Sequence, residues 1–236
     1  MGQPLILVHG TRFDSRQWSG YAERLPGADV VTVDLPGHGD RVGEPWTDEA
    51  AVDVVARAVE ATGRADAVLA GHSLGGYVVT TYAQRHPDRI GALVLLGATA
   101  DPSRHPALRR TYTGFARALT AVGPDRMAVA TNAMLRRLGA APEDVPGTGA
   151  YAALPAAWAG TMASASAEQL RGLPCPVFLV GGQFDQLRID ARHYASMCAD
   201  ARIRVIPRAS HLAPLTHRDE VAAVLREALA AARSPS

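Results

Sequence analysis

The chain has 236 residues, of which 47% are hydrophobic and 20% are charged, and this balance predicts one soluble domain with a large core. Its 24 basic residues are all arginine, they nearly balance 23 acidic residues, and neither sign forms a long block. This pattern argues against a nucleic-acid surface or a basic membrane patch, so we expect a small-molecule substrate as the partner. It leaves the oligomeric state open.

The first apolar run, Leu5 to Val8, is too short to span a bilayer and has no basic residue before it. It therefore predicts neither a signal peptide nor a membrane anchor, and we expect a cytoplasmic protein. The two cysteines, Cys175 and Cys198, have neither the spacing of a metal site nor that of a disulfide framework.

Six short apolar runs, each bounded by turn residues, predict the strands of a parallel sheet. Continuous apolar runs are typical of strands covered by helices on both faces, and the helical patterns between them predict right-handed βαβ crossovers. The runs are Leu5 to Val8, Val30 to Val33, Val68 to Ala70, Ala92 to Leu96, Val177 to Val180 and Ile203 to Ile206.

Four helices between and after these strands have recognisable boundaries. A capping residue, a glycine or a proline marks three of them, and the last shows the apolar spacing of a helix that covers the sheet. The predicted helices run from a cap at Ser15 to Leu25, from Asp48 to Ala61 before Gly63, from just after Ser73 to before Pro87, and through Val221, Val224, Leu225 and Leu229.

The alternation of strand and helix stops between the fourth and fifth runs. Apolar residues recur there at helical spacing, glycines and prolines divide the stretch, and no strand is indicated. We therefore predict a helical insertion over residues 101–172, within an α/β core formed by residues 1–100 and 173–236. Most of its methionine and aromatic side chains are expected to pack its own helices, while a loosely packed lid would also supply the apolar walls of a pocket.

The most informative motif is Gly71-His72-Ser73-Leu74-Gly75, which directly follows the third apolar run. A strand, a tight turn that carries a serine between small residues, and a helix together form a nucleophile elbow. Gly71 and Gly75 would let neighbouring backbone approach closely, and this crowding forces the serine into a strained conformation with its hydroxyl displayed. Ser73 is therefore the candidate nucleophile.

A serine becomes a good nucleophile when a base takes its proton and an acid orients that base. Of eight histidines, His211 stands out because its loop follows the last predicted strand, at the same carboxyl edge of the sheet as Ser73. Asp185 follows the fifth run by a short turn and is expected at that edge as well. Asp190 and Asp101 are the alternative acids, and both are more simply interpreted as solvated.

The oxyanion of an acyl-transfer intermediate needs two hydrogen-bond donors. The candidates are the backbone N–H of Leu74, next to the nucleophile, and that of Thr11, in the loop after the first strand. Three histidines near these loops are expected to be hydrogen-bonded structural residues; they are His9, His38 and His72.

Substrate contacts are harder to identify, because a single sequence does not show which side chains face a pocket. The candidates are Arg12, Phe115, Met134, Trp158 and Leu212. Arg12 would meet an anionic group at the pocket mouth, although covering a loop in solvent is its simpler interpretation.

Together these motifs resemble the α/β-hydrolase fold superfamily. The matching segments are Leu7-Val8-His9-Gly10 with Trp18 downstream, Asp34 to Gly39, Gly71 to Gly76, His86 to Arg89, Gly182 to Asp185, and Ser210 to Leu212. The resemblance implies a catalytic triad of Ser73, Asp185 and His211, no metal or organic cofactor, and a cap formed by the insertion.

The chain also departs from the superfamily pattern. Its first strand begins within the first few residues, so we expect about six parallel strands without the usual N-terminal hairpin. Thr11 stands where a bulky apolar residue is common, and Thr216-His217-Arg218 stands where Glu-x-Pro often follows the histidine. These departures argue against assignment to a subfamily.

The sequence thus predicts a serine hydrolase, similar to carboxylesterases, that cleaves an ester-type bond of a small and largely apolar substrate through an acyl-enzyme on Ser73. The bond would be a carboxylic ester, a lactone or a thioester. A carbon–carbon bond hydrolase or a cofactor-free perhydrolase of the same fold is an alternative, and so is a ligand-sensing protein with slow or no turnover. Ser73 in place of aspartate argues against dehalogenase-like and epoxide-hydrolase-like enzymes, and the lack of lysine argues against plant hydroxynitrile lyases.

Overall fold

A computed structural model of the chain describes residues 2–106, 110, 111, 114, 121–137 and 145–232. Its centre is a six-stranded sheet in which every neighbouring pair of strands is parallel. The strands are β1 (Gln3–Val8), β2 (Ala28–Val33), β3 (Ala67–His72), β4 (Ile90–Leu96), β5 (Val177–Gly182) and β6 (Ala201–Ile206), in the spatial order β2-β1-β3-β4-β5-β6. All six predicted strands are therefore confirmed.

The helices of the described residues fill the connections between these strands. They are α1 (Tyr21–Arg24), α2 (Asp48–Ala61), α3 (Leu74–Arg85), α4 (Pro124–Arg137), α5 (Leu154–Ser164), α6 (Ala191–Met197), α7 (Ala213–Thr216) and α8 (Arg218–Ala231). The predicted bounds of α2 and α3 are confirmed. Within the described ranges, no helix has both the length and the apolar character that crossing a membrane requires.

The first predicted helix is wrong in its extent and in its cap. The segment forms a 3₁₀ turn over Ser15–Trp18 and then the short α1, and Gly20 between them has a φ of 79°. A left-handed residue interrupts the hydrogen-bond ladder of a helix. The capping side chain is that of Asp14, which accepts a hydrogen bond from the Arg16 N–H.

Two apolar layers cover the sheet, one on each face. One layer contains side chains of α2 and α3, such as Val55 and Val79, and the other contains side chains of α1 and α8, such as Tyr21 and Leu225. All four of these side chains are fully buried. Burial of both faces explains why the strands are continuous apolar runs.

Residues 101–172, predicted above as a helical insertion, contribute α4 and α5, and the described residues of this segment contain no strand. This segment is called the insertion below. Both helices contact the core. Leu135 of α4 packs against Phe13, Leu212 and Leu215, and Ala157 of α5 belongs to the apolar layer over α2 and α3.

The strand order brings two loops together at the carboxyl edge of the sheet. From β1 the chain moves outward to β2 and then returns to place β3 on the opposite side of β1. In parallel α/β sheets, ligands bind at such a reversal, outside the carboxyl ends of the strands. Val8 is in register with Gly71, so the loop after β1 lies beside the turn after β3.

Candidate active site

Ser73 occupies the turn between β3 and α3 with a φ of 50° and a ψ of −116°. Its N–H donates to the Leu96 carbonyl at 2.8 Å, which anchors the turn to β4. A Cβ atom on Gly71 would collide with the Gly75 backbone, and one on Gly75 would lie 2.5 Å from the Val8 and His9 carbonyl oxygens. Close backbone packing on both sides therefore holds Ser73 in a conformation that costs about 1–3 kcal/mol.

His211 and Asp185 form a hydrogen-bonded pair at the same edge of the sheet. His211 Nδ1 lies 3.0 Å from Asp185 Oδ1, and the Leu187 N–H donates to the same oxygen at 2.8 Å. Asp185 is only 5% exposed. Burial alone would raise the pKa of its carboxyl, but hydrogen bonding and attraction from His211 outweigh burial and lower that pKa. The carboxylate is thus charged and holds the imidazole in one orientation.

Gly97, which directly follows β4, supports this pair from behind. Its φ is 59°, and a Cβ atom there would lie 2.7 Å from Asp185 Oδ2 and 2.8 Å from His211 Nδ1. Only a residue without a side chain fits this contact. Sequence reasoning missed Gly97; a glycine after a strand was the visible signal, but it does not reveal which side chains pack against it.

His72 lies beside His211, with the two ring centroids 4.8 Å apart. Its Nε2 is 2.9 Å from the His211 carbonyl oxygen, so this nitrogen carries the proton and donates it. Burial lowers the pKa of His72 to about 3, which keeps the ring neutral. His9 is likewise neutral and hydrogen-bonded to Gly10 and Leu35. These contacts confirm the prediction that His9 and His72 are hydrogen-bonded structural residues. The same prediction is confirmed for His38, which is buried and hydrogen-bonded to the Pro36 carbonyl.

The backbone N–H groups near Ser73 that have no acceptor among the described residues include those of Thr11 and Leu74. Leu74 is the first residue of α3, where backbone N–H groups have no partner within the helix. The neighbouring N–H of Gly10 is already bonded to Gln17 Oε1 at 3.0 Å. A Cβ atom on Gly10 would lie 3.3 Å from Ser73 Cβ, so the loop that carries Thr11 packs directly against the serine.

A cavity of about 40 Å³ opens beside Ser73. The core and the insertion both contribute to its walls, and most of the lining side chains are apolar. The lining residues are Thr11, Ser73, Leu74, Tyr77, Ala100, Pro102, Trp158, Thr161, Met162 and Leu187. Trp158 was predicted as a substrate contact, whereas Tyr77, Met162 and Leu187 were not.

The other predicted substrate contacts have different positions. Leu212 packs in the cluster with Leu135 and is not on the cavity wall. Arg12 is partly buried, and burial lowers the pKa of its guanidinium while the neighbouring Tyr151 counteracts that effect. The simpler interpretation of Arg12 as a solvent-exposed loop residue is therefore wrong. Phe115 and the side chain of Met134 lie outside the described residues.

The two alternative acids are buried, so the prediction that they are solvated is wrong. Asp190 accepts hydrogen bonds from the Asp101 N–H at 2.9 Å and from His105 Nε2 at 2.8 Å. Asp101 in turn accepts from the N–H groups of Ser103 and Ala167. Both carboxylates thus accept hydrogen bonds from residues near the ends of the insertion. Across the described ranges, no three His, Cys, Asp or Glu side chains are grouped as a metal site requires.

Known proteins that are similar to this chain in sequence or structure include esterases and a lipase. The lipase LipV of Mycobacterium tuberculosis is 37% identical over 93 residues, which cover 39% of this chain and 36% of the lipase. A pimeloyl-(acyl-carrier protein) methyl ester esterase from Aromatoleum aromaticum is 29% identical, over 96% of this chain and 98% of that esterase. The solved structure of a thermophilic esterase from Thermogutta terrifontis is 26% identical, with a TM-score of 0.76 over 96% of this chain and 89% of that one.

Coverage differs among the curated relatives. Three of them, the lipase included, are matched over only 22% to 40% of their own length. In contrast, a sequence profile of the alpha/beta hydrolase family matches residues 5–224. The chain therefore belongs to the alpha/beta hydrolase family.

Proposed function

We propose that this protein is a hydrolase that cleaves an ester-type bond of a small, largely apolar substrate through an acyl-enzyme on Ser73. The observation that carries the proposal is the strained turn at Ser73, beside two backbone N–H groups that have no acceptor among the described residues. Strain of this kind persists where the surrounding structure enforces it, and it is concentrated at functional sites. The hydrogen-bonded pair of His211 and Asp185 at the same sheet edge supplies the base and the group that orients it.

In the first half of the reaction, His211 Nε2 takes the proton of the Ser73 hydroxyl while Ser73 Oγ forms a bond to the carbonyl carbon. The carbonyl oxygen becomes an oxyanion, which accepts hydrogen bonds from the N–H groups of Thr11 and Leu74. The bond to the leaving alcohol then breaks, and the imidazolium returns its proton to that alcohol. Asp185 stabilises the imidazolium without taking the proton.

In the second half, a water molecule attacks the acyl group on Ser73 while His211 takes one of its protons. The second oxyanion collapses, the bond between Ser73 Oγ and the acyl carbon breaks, and the proton passes from His211 to the serine. The carboxylic acid leaves and the enzyme is restored. Ester, lactone and thioester substrates all fit this sequence, because each presents an electrophilic carbonyl and a leaving group.

The cavity supports a short acyl group. Its volume of about 40 Å³ holds roughly three water molecules. Leu74, Ala100 and Met162 on its walls favour an apolar acyl chain, and the contribution of Trp158 supports a role for the insertion as a cap. We propose that Arg12, the residue after Thr11, meets an anionic group of the substrate at the mouth of the cavity.

A serine-directed fluorophosphonate tests the nucleophile. We expect it to label the wild type and the Ser19→Ala control, which removes an exposed serine hydroxyl, but not Ser73→Ala. We also expect turnover of p-nitrophenyl acetate and butyrate, and its loss in Ser73→Ala. Equal labelling of Ser73→Ala and the wild type would refute the assignment of Ser73 as the nucleophile. Tight ligand binding without turnover would favour a ligand sensor.

A further inference from the structure

The Thr11 side chain makes a hydrogen bond that reaches from the core to the insertion. Trp158 Nε1 lies 3.1 Å from Thr11 Oγ1. An indole N–H can only donate, so the threonine oxygen must be the acceptor in this bond. Trp158 therefore leaves the hydroxyl proton of Thr11 free to be donated elsewhere.

No described residue accepts that proton, because the only hydrogen bond of the Thr11 side chain within the described ranges is the one from Trp158. Thr11 is 8% exposed, and it lines the cavity beside Ser73. A buried donor without an acceptor is uncommon in native proteins and indicates a functional constraint or a missing partner. The unused donor of Thr11 is therefore available to an acceptor atom of a bound ligand.

The unused donor lies next to the reacting atoms. Thr11 and Trp158 line the same cavity as Ser73 and Leu74. Gly10 brings the loop into van der Waals range of Ser73 Cβ, and the backbone N–H of Thr11 is also without an acceptor among the described residues. Two donors of a single residue are therefore available beside the nucleophile.

We propose that the Thr11 hydroxyl is a third donor to the oxyanion, in addition to the backbone N–H groups of Thr11 and Leu74, and that Trp158 is the positioning residue that orients this hydroxyl. The proposal rests on the acyl transfer proposed above. No proton is transferred in this contact; the hydroxyl only donates a hydrogen bond as negative charge develops on the carbonyl oxygen. The hydrogen bond from Trp158 polarises the Thr11 hydroxyl, and this polarisation strengthens the hydrogen bond that the hydroxyl donates to the oxyanion.

Thr11→Val and Thr11→Ser test the hydroxyl directly. Valine keeps the shape of threonine and removes the hydroxyl, whereas serine keeps the hydroxyl. Because a donor that acts in the transition state affects kcat, we expect Thr11→Val to lower kcat for p-nitrophenyl acetate about 10- to 100-fold with KM changed less than about threefold. Thr11→Ser should keep kcat within about threefold. Wild-type kcat in Thr11→Val would overturn the proposal.

Trp158→Phe tests the positioning role, because it removes the indole N–H and keeps an aromatic ring. We expect it to lower kcat about three- to tenfold in the wild-type background and to have little further effect in Thr11→Val. This non-additivity is what a double-mutant cycle measures for two groups that act together. An equal loss in both backgrounds would show that Trp158 acts through packing and not through Thr11.

Fluorophosphonate labelling separates failure of this proposal from failure of the proposed function. If the wild type is neither labelled nor active, both are wrong. If Ser73 is labelled in both the wild type and Thr11→Val, and their kcat values agree, only the third donor is wrong. Thermal unfolding checks that each variant is folded. If Thr11→Val does not fold, the kcat of Thr11→Ala is compared with that of Thr11→Ser, because these two variants also differ in the hydroxyl.

Discussion

At the scale of single residues, Gly97 offers the sharpest test of the geometry around His211. An alanine there would be strained by a φ of 59°, and its Cβ would also collide with Asp185 and His211. We expect Gly97→Ala to lower kcat/KM for p-nitrophenyl acetate at least about 100-fold, because a displacement of about 1 Å in a catalytic group has effects of that size. The kinetics are measured at a temperature where the variant is folded.

Gly63→Ala is the matched control for this substitution. Gly63 has a similar φ of 65°, but a Cβ atom there has no neighbour within 4 Å. Backbone strain should lower the free energy of unfolding of both variants by about 1 kcal/mol. Gly63→Ala should nevertheless keep the wild-type kcat/KM. Equal kinetic losses in the two variants would mean that strain, and not the collision with the pair, explains the Gly97 result.

Asp185 and Asp190, two of the three aspartates considered for the orienting acid, can be separated by the same kind of measurement. Asp185→Asn should lower kcat about a thousandfold or more, because the amide no longer stabilises the imidazolium. Asp190→Asn should keep kcat within about fivefold and lose about 1–3 kcal/mol of stability, since it weakens bonds to Asp101 and His105. A larger kinetic loss in Asp190→Asn would reverse the assignment.

At the scale of elements, Asp101 joins the two ends of the insertion. Its carboxylate accepts from the Ser103 N–H at 2.9 Å and from the Ala167 N–H at 3.0 Å. Asp101→Ala would leave both donors unsatisfied, so we expect a loss of about 3 kcal/mol in urea unfolding. Asp125→Ala, which removes an exposed carboxylate of α4, should stay within about 0.5 kcal/mol of the wild type. A loss below about 1 kcal/mol in Asp101→Ala would contradict the joining role.

The elements differ in how well the sequence predicts them. The strands and α2 were predictable, because continuous apolar runs and a capped amphipathic pattern are local signals. The segment from Ser15 to Leu25 was not, because the left-handed conformation of Gly20 depends on its surroundings. The buried state of Asp101 and Asp190 was also hidden, since their partners are far away in the sequence.

At the scale of the whole molecule, the topology explains why the positions of the candidate site residues were largely predictable. Parallel strands end at one edge, so motifs that follow strands meet there even when they are distant in sequence. This rule correctly placed Ser73, Asp185 and His211 at the carboxyl edge of the sheet. It does not reveal contacts that depend on side-chain packing, such as the bond from Trp158 to Thr11 or the contact of Gly97 with Asp185.

The buried neutral histidines make the stability of the whole molecule sensitive to acid. Burial lowers the pKa values of His9 and His72 to about 3, from an ordinary value of 6.5. Between these values the unfolded chain binds one more proton per histidine than the folded chain, so stability falls as the pH decreases. Each histidine contributes about 1.4 kcal/mol per pH unit within this window. Asp101 and Asp185, whose pKa values are lowered, stabilise the fold above about pH 4, and this contribution is lost below it.

We therefore expect urea unfolding to show a free energy that falls below pH 6, before the carboxylates titrate, with His9 and His72 together contributing about 2.7 kcal/mol per pH unit. His38, whose pKa is also lowered by burial, adds to this slope. His72→Gln, whose amide can still donate to the His211 carbonyl, should reduce this slope by about 1.4 kcal/mol per pH unit. His86→Gln, at an exposed position, should leave it unchanged. An unchanged slope in His72→Gln would show that His72 takes up its proton in the folded protein, and its position as a buried neutral group behind His211 would then be wrong.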